Sequence, residues 1–284
     1  MMTAQQVAAV QFCAGPHWPD NRSRLEALLP QAEGARLVLL PENVACYGGD
    51  YRQMAAQAAE VQQWLQQQAR QLDAWVIAGS LPLLTRPDGS QVPAPRVRAA
   101  QLVVSPDGCV QARYDKLHLF DVDVGDAQGQ YRESATFEPG NKAVLTRMAD
   151  MVCGLAICFD VRFAALALLL AQQGAQLLVY PSAFTQKTGE AHWETLLRAR
   201  AIETGCYVLA ANQCGQHNAR RASYGHSMLV DPWGRVVARL GAEPGVLRAE
   251  VDLDLQQQIR QQLPLLSQQT LGIDLHGIEC EKQF

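Results

Sequence analysis

The sequence predicts an α/β fold in a single domain, and three observations predict it. Strand-like runs alternate with helix-like runs along most of the chain, the pattern of sheets layered with helices rather than of separate α and β regions. One stretch spells a complete βαβ unit: an apolar run over 153–158, an apolar helix over 163–174 and a second run over 176–180. A length of 284 residues at 48% hydrophobic content is enough to bury one substantial core.

The elements follow in chain order. Residues 7–12 read as a first strand, and the apolar run 36–42 as a short buried one that stops at Glu42. Over 51–72 the spacing predicts a helix, with Met54, Ala58, Val61, Leu65, Ala69 and Leu72 recurring at steps of four and three while Gln62, Gln63, Gln66, Gln67 and Gln68 face water. A strand over 75–79 follows. A hairpin then pairs 97–104 with 110–114 across the turn Ser105-Pro-Asp-Gly-Cys109 and delivers Lys116. The central strand, 153–158, ends on Cys158, and the helix after it stops at Gly174, which suits a C′ position. A helix over 192–204, a strand over 206–211, a hairpin of 225–230 with 236–240 across Asp231-Pro-Trp-Gly234, a strand over 245–251 and a Gln-rich helix complete the reading. The domain is expected over 1–266, with 267–284 as a C-terminal tail.

Composition narrows the function classes. A net charge of −4 without any Lys/Arg-rich block argues against nucleic acid as a partner. The N-terminus lacks the cationic, apolar and small-residue series of a secretory signal, and the longest apolar run, 163–171, is about half of a bilayer span. A cytoplasmic protein with no membrane partner is expected. The eight cysteines contain no C-x-x-C pair, and most read as small buried hydrophobes. Cys214 and His217 have a C-x-x-H spacing without a second half-site, so no metal site is expected.

The chemistry gathers where strands end. Cys158 stands between an apolar run and a helical pattern, a junction at which backbone N–H groups can point at whatever its sulfur attacks. Glu42 and Lys116 close two other runs in the same way. Taken alone, each could be something plainer: a buried structural cysteine, an N-cap or turn carboxylate, a surface lysine. His118, two residues from Lys116, is a competing base for Cys158, since residues two apart on a strand share a face. Arg162, about one helical turn beyond Cys158, is placed to hold a ligand carboxylate bidentately, to pair with Asp160 or to cap a helix end.

Seven blocks then carry a resemblance that extends from Val7 to about Leu266: LLPEN at 39–43, RYDKLHLFDVDV at 113–124, YRES at 131–134, GLAICFDVRF at 154–163, YPSAF at 180–184, AHWETLLRARAIET at 191–204 and RASYGHSMLVDPWG at 221–234. In these the chain resembles the nitrilase, or carbon–nitrogen hydrolase, superfamily. The resemblance implies a four-layer α-β-β-α sandwich of two mixed sheets packed face to face, a homodimer, and a cofactor-independent amidase. It implies a triad of Glu42 as base, Lys116 as oxyanion stabiliser and Cys158 as a thiolate nucleophile that Lys116 helps to ionise. Glu133 matches a second carboxylate that holds Lys116, and the backbone N–H of Phe159 completes the oxyanion site. Arg162 matches a carboxylate-holding position, with Phe184 and Thr188 as further pocket residues. Within the superfamily, RASYGHSM, ARAIET, Gln213-Cys-Gly215 and DPWGRVVAR look like the deaminated glutathione amidase branch, and the small-molecule substrate implied is an amide carrying an α-keto carboxylate. The neighbouring omega-amidase branch, which acts on α-ketoglutaramate, shares the triad and the arginine. A carbamoyl or aliphatic amide hydrolase and a catalytically silent scaffold are also compatible with these blocks. Phe159 departs from the commoner tyrosine, and Glu190 from a proline.

Overall fold

Alternate residues of the N-terminal strands face two different cores, and this is what builds the layers. In the computed structural model, which describes residues 4–272 and 277–284, Val7, Ala9, Leu37, Leu39 and Ile77 pack into one hydrophobic cluster. Their neighbours Ala8, Val10, Val38, Leu40, Val76 and Ala78 pack into another. A strand buried on both faces needs cover on both. On one side the cover is helical, from Leu25 of the helix Trp18–Leu28 and Val61 and Leu65 of the helix Ala58–Leu72. On the other it is a second sheet, through Leu155, Leu177, Val179 and Leu209, itself backed by Leu170 of Ala164–Gln172 and by Trp193 and Leu197 of Gln186–Thr204. The result is an α-β-β-α sandwich, and each fully buried Leu or Val contributes about 1.5–3 kcal/mol to holding it.

The first sheet has six strands in the order Gly245–Val251, Gln5–Gln11, Leu37–Leu39, Trp75–Leu83, Arg98–Val104, Val110–Asp115. The second has seven, in the order Val236–Arg239, Met228–Val230, Tyr207–Asn212, Leu177–Ser182, Met151–Leu155, Lys142–Met148, Glu279–Gln283. Both are mixed: Gln5–Gln11 runs parallel to Leu37–Leu39 and antiparallel to Gly245–Val251, while Leu177–Ser182 runs parallel to both of its neighbours. Among the described residues no helix is long and apolar enough to cross a membrane.

Several elements differ from the sequence reading. The 51–72 helix is two helices, Tyr51–Ala56 and Ala58–Leu72, broken at Gln57. Gln68, expected to face water, is buried, and its Nε2 donates to Gln71 Oε1 at 3.0 Å. The helix expected over 192–204 begins at Gln186, where the Thr185 hydroxyl caps it by accepting from Thr188 N at 3.2 Å. Gly189 sits inside this helix because the Tyr224 side chain fills the space where a Cβ would be. The strand read as 153–158 is Met151–Leu155, which leaves Cys158 beyond its end in a turn. Part of the tail, Glu279–Gln283, adds an edge strand parallel to Lys142–Met148. Two small hairpins, Asp121–Asp123 with Gln130–Arg132 and Cys214–Asn218 with Arg221–Tyr224, carry residues that line the site described next.

Candidate active site

Three strand ends meet at one cavity of about 210 Å³. Glu42, Lys116, Cys158, Glu133, Phe159, Arg162, Phe184 and Thr188, every site residue expected from the sequence, line it.

Glu42 lies three residues past the strand Leu37–Leu39, at a turn held from several directions. The strand Trp75–Leu83 passes close behind it, and only a glycine fits there: a Cβ on Gly79 would overlap the Pro41 carbonyl oxygen. Asn43 adopts a left-handed φ of +59° and donates its N–H to Ser80 Oγ at 2.9 Å. The buried Gln213 donates from Nε2 to the Glu42 carbonyl at 2.8 Å and accepts the Ala14 N–H at 2.9 Å.

Lys116 follows the strand Val110–Asp115, where its own N–H donates to Ala99 O at 3.0 Å. The side chain is 2% exposed, and Nζ donates to Glu42 Oε1 at 2.7 Å and to Glu133 Oε1 and Oε2 at 2.8 and 2.9 Å. Burial works against the ammonium, but the Glu133 and Glu42 charges outweigh it and hold Lys116 well above the usual lysine range. Burial likewise raises the Glu133 carboxyl, with Lys116 pulling the other way.

Cys158 takes a left-handed φ of +46°, a conformation that costs a non-glycine residue about 1–2 kcal/mol. The fully buried Asp160 holds the turn that imposes it. Its Oδ2 accepts from Ile157 N at 2.8 Å and from the Tyr114 hydroxyl at 2.7 Å, and its Oδ1 accepts from His118 N at 3.1 Å and pairs with His118 Nδ1 at 2.7 Å. This disposes of the competing base: His118 is tied to Asp160, stacks on Phe163 with 3.7 Å between ring centroids and is not among the residues lining the cavity.

Burial, and after it the Glu42 charge, raise the Cys158 thiol well above its ordinary range against the pull of Lys116. The family resemblance implies that Lys116 keeps this sulfur ionised. Two carboxylates already share that one ammonium, and a thiolate would add a further buried negative charge, so burial and Glu42 work against that ionisation. Glu42 lines the same cavity as this sulfur, placed to take a proton from it.

Arg162 ends the turn that begins at Cys158. Its guanidinium lies 5.0 Å from the Phe184 ring centroid and 5.8 Å from that of Phe159, and Nη1 is 3.2 Å from His192 Nδ1. Of the three roles open to it, pairing with Asp160 is ruled out, since that carboxylate is committed elsewhere. Phe184 packs on Trp193 at 4.8 Å, and the Thr188 and Thr185 hydroxyls are 2.9 Å apart. Asp160, Gln213, Arg221, Tyr51 and Tyr131 are among the residues that build or line this site without having been given a place in it by sequence reasoning. The short spacing from Cys158 to Asp160 was a signal for the first.

A buried thiol, a carboxylate and an ammonium at the strand ends of an α-β-β-α sandwich define a class of hydrolase, and comparison with known sequences agrees. A profile of the carbon–nitrogen hydrolase family matches residues 6–261, and the chain belongs to that family. It is accordingly a hydrolase of carbon–nitrogen bonds other than peptide bonds. It is 38% identical over 272 residues to the deaminated glutathione amidase of Yersinia enterocolitica, covering 93% of each chain, and 37% identical over 283 residues to an omega-amidase of Xenopus laevis, covering 98% of this chain and 99% of that one. Among solved structures it is similar to Saccharomyces cerevisiae Nit3, a member of branch 10 of the nitrilase superfamily, with a TM-score of 0.80 at 28% identity over 94% of this chain and 97% of that one.

Proposed function

We propose that the protein is a cysteine-dependent amidase that cleaves deaminated glutathione into α-ketoglutarate and cysteinylglycine. The observation that carries this is the convergence of Glu42, Lys116 and Cys158 in one cavity with Arg162, a cation that has no acidic partner among the described residues. The deaminated glutathione amidase relatives, 38–41% identical over most of the chain, support the substrate.

The steps follow from the groups present. Arg162 holds the α-keto carboxylate and brings the amide carbon to Cys158. As Sγ forms its bond to that carbon, the thiol proton moves to Glu42, which lets a neutral thiol act as a nucleophile. The carbonyl electrons pass to oxygen, and Lys116 with the Phe159 N–H stabilises the resulting oxyanion. The C–N bond breaks, the departing nitrogen takes the proton from Glu42, and a thioester remains on Cys158. Glu42 then deprotonates a water that attacks the thioester; the C–S bond breaks and the sulfur recovers its proton. Glu133 keeps Lys116 in place throughout.

The omega-amidase relative favours one second reading, in which α-ketoglutaramate is the substrate and ammonia leaves. Comparing kcat/KM for the two amides separates them, with deaminated glutathione expected to be preferred by at least about tenfold. Preference for α-ketoglutaramate would replace the first reading with the second, and no hydrolysis of either by a folded enzyme would favour a silent scaffold. We further propose a cytoplasmic homodimer. The unpaired thiols at Cys13, Cys109 and Cys280 fit a reducing compartment, and the exposed Trp233, beside Gly234 and Ile202, offers apolar surface for a second copy.

A further inference from the structure

We infer that Arg221 determines specificity by holding a carboxylate on the leaving-amine side of the substrate, so that the enzyme selects amides whose departing amine carries an anion. This rests on the amidase reading above and deepens it.

Arg221 opens the strand Arg221–Tyr224 and lines the same cavity as Cys158. Its guanidinium lies over the Tyr47 ring at 4.6 Å and the Tyr131 ring at 5.2 Å, held by aromatic faces and not by a counter-charge. Nε is buried without a hydrogen-bond partner, and the guanidinium makes no ion pair among the described residues. Other sheltered arginines have an acidic partner: Arg98, whose Nε also lacks a hydrogen bond, pairs with Glu138, Arg113 pairs with Asp115, and Arg200 with Glu203. Arg132, at the cavity edge, pairs with Asp123. Leaving a buried cation unpaired is costly, and a guanidinium with unused N–H groups facing a cavity is built for bidentate capture of a carboxylate or similar planar anion.

Position assigns the end of the substrate. The cavity has two such cations, and they sit by different members of the reacting set. Arg162 ends the turn that begins at Cys158 and lies by Phe159 and Phe184, whereas Arg221 lies over Tyr47, five residues past Glu42, and Tyr131, two residues before Glu133. The acyl group stays on the sulfur, so Arg162 is the acyl-side anchor. The amine departs with the proton from Glu42, so Arg221 faces the group that leaves. In deaminated glutathione that group ends in a glycine carboxylate.

The test is a comparison of deaminated glutathione with its C-terminal carboxamide, which differs only in that terminal charge. Wild-type enzyme should prefer the acid by about 30- to 100-fold in kcat/KM, carried mainly by KM. In Arg221→Met that ratio should collapse toward one, and in Arg221→Lys it should be partly retained. Arg162→Met should slow both substrates and keep the ratio. Wild-type indifference to the terminal charge would overturn the inference even if Arg221→Met fails to fold, and so would a ratio that survives in a folded Arg221→Met. Either result leaves the amidase reading standing. A wild-type enzyme inactive on both substrates and on α-ketoglutaramate would instead overturn the amidase reading, and this inference with it.

Discussion

Lys116 gives its hydrogen bonds to two carboxylates, and its pull on the sulfur beside them is opposed by burial and by Glu42. A cysteine activated by an unshared cation would be alkylated rapidly at neutral pH with a plateau above a low pKa. Cys158, raised by burial and by Glu42, should behave in the opposite way. Its iodoacetamide reaction should be slow at pH 7 and still be accelerating with pH beyond the ordinary thiol range, as followed by peptide mapping. A plateau below pH 7 would contradict the neutral resting thiol. Glu42, Lys116 and Cys158 were legible in the sequence because each closes a run of strand-like residues, and Arg162 because it falls a short step past the cysteine. Asp160 and Arg221 were less so, since their roles depend on partners such as Tyr114, His118, Tyr47 and Tyr131, which are remote along the chain and come close only in the fold.

At the scale of elements, the site depends on how closely the strand Trp75–Leu83 passes behind the turn that carries Glu42. Gly79→Ala places a methyl group inside the Pro41 carbonyl, and the turn must move. The expected cost is at least about 1–3 kcal/mol, read as a lower Tm, together with a drop in kcat because the Glu42 carboxylate shifts with its backbone. A variant with wild-type Tm and kcat would show that this contact does not position the base. Most strands and helices were readable from apolar periodicity. The exceptions share a physical cause, which is polar or glycine-containing sequence made acceptable by tertiary contacts. The helix Trp18–Leu28 buries Asn21, whose side chain bonds to Gly15 and Ala45 backbone, so its apolar stripe is interrupted. The first turn of Gln186–Thr204 contains Gly189, tolerated beneath Tyr224, and Glu279–Gln283 is a polar strand that forms only because the edge of Lys142–Met148 is there to pair with it.

At the scale of the whole molecule, the two sheets bring strand ends from distant parts of the chain to one cavity, and small hairpins close around it. His217 on one of these ties that region to the N-terminal segment: Nδ1 donates to Ala14 O at 2.8 Å and Nε2 lies 2.9 Å from Ser223 Oγ. Burial, chiefly, lowers its pKa to about 4 from an ordinary 6.5, with Arg221 and Arg24 adding repulsion. A depressed folded-state pKa means that its contribution is complete above 6.5 and is lost as pH falls toward about 4. The loss is on the order of 3 kcal/mol. Chemical denaturation of wild type across pH 7 to 4 should show this decline, and His217→Gln should flatten it; equal slopes in the two proteins would place the acid sensitivity elsewhere.

All of these scales serve one event, transfer of an acyl group to the sulfur of Cys158. Rapid acid quench of wild-type enzyme turning over deaminated glutathione, followed by intact-mass analysis and peptide mapping, observes it directly. The account predicts an α-ketoglutaryl thioester on Cys158 that appears early and decays with turnover, absent from a folded, inactive Cys158→Ala. Steady hydrolysis by Cys158→Ala, or an adduct mapping to another residue, would contradict it.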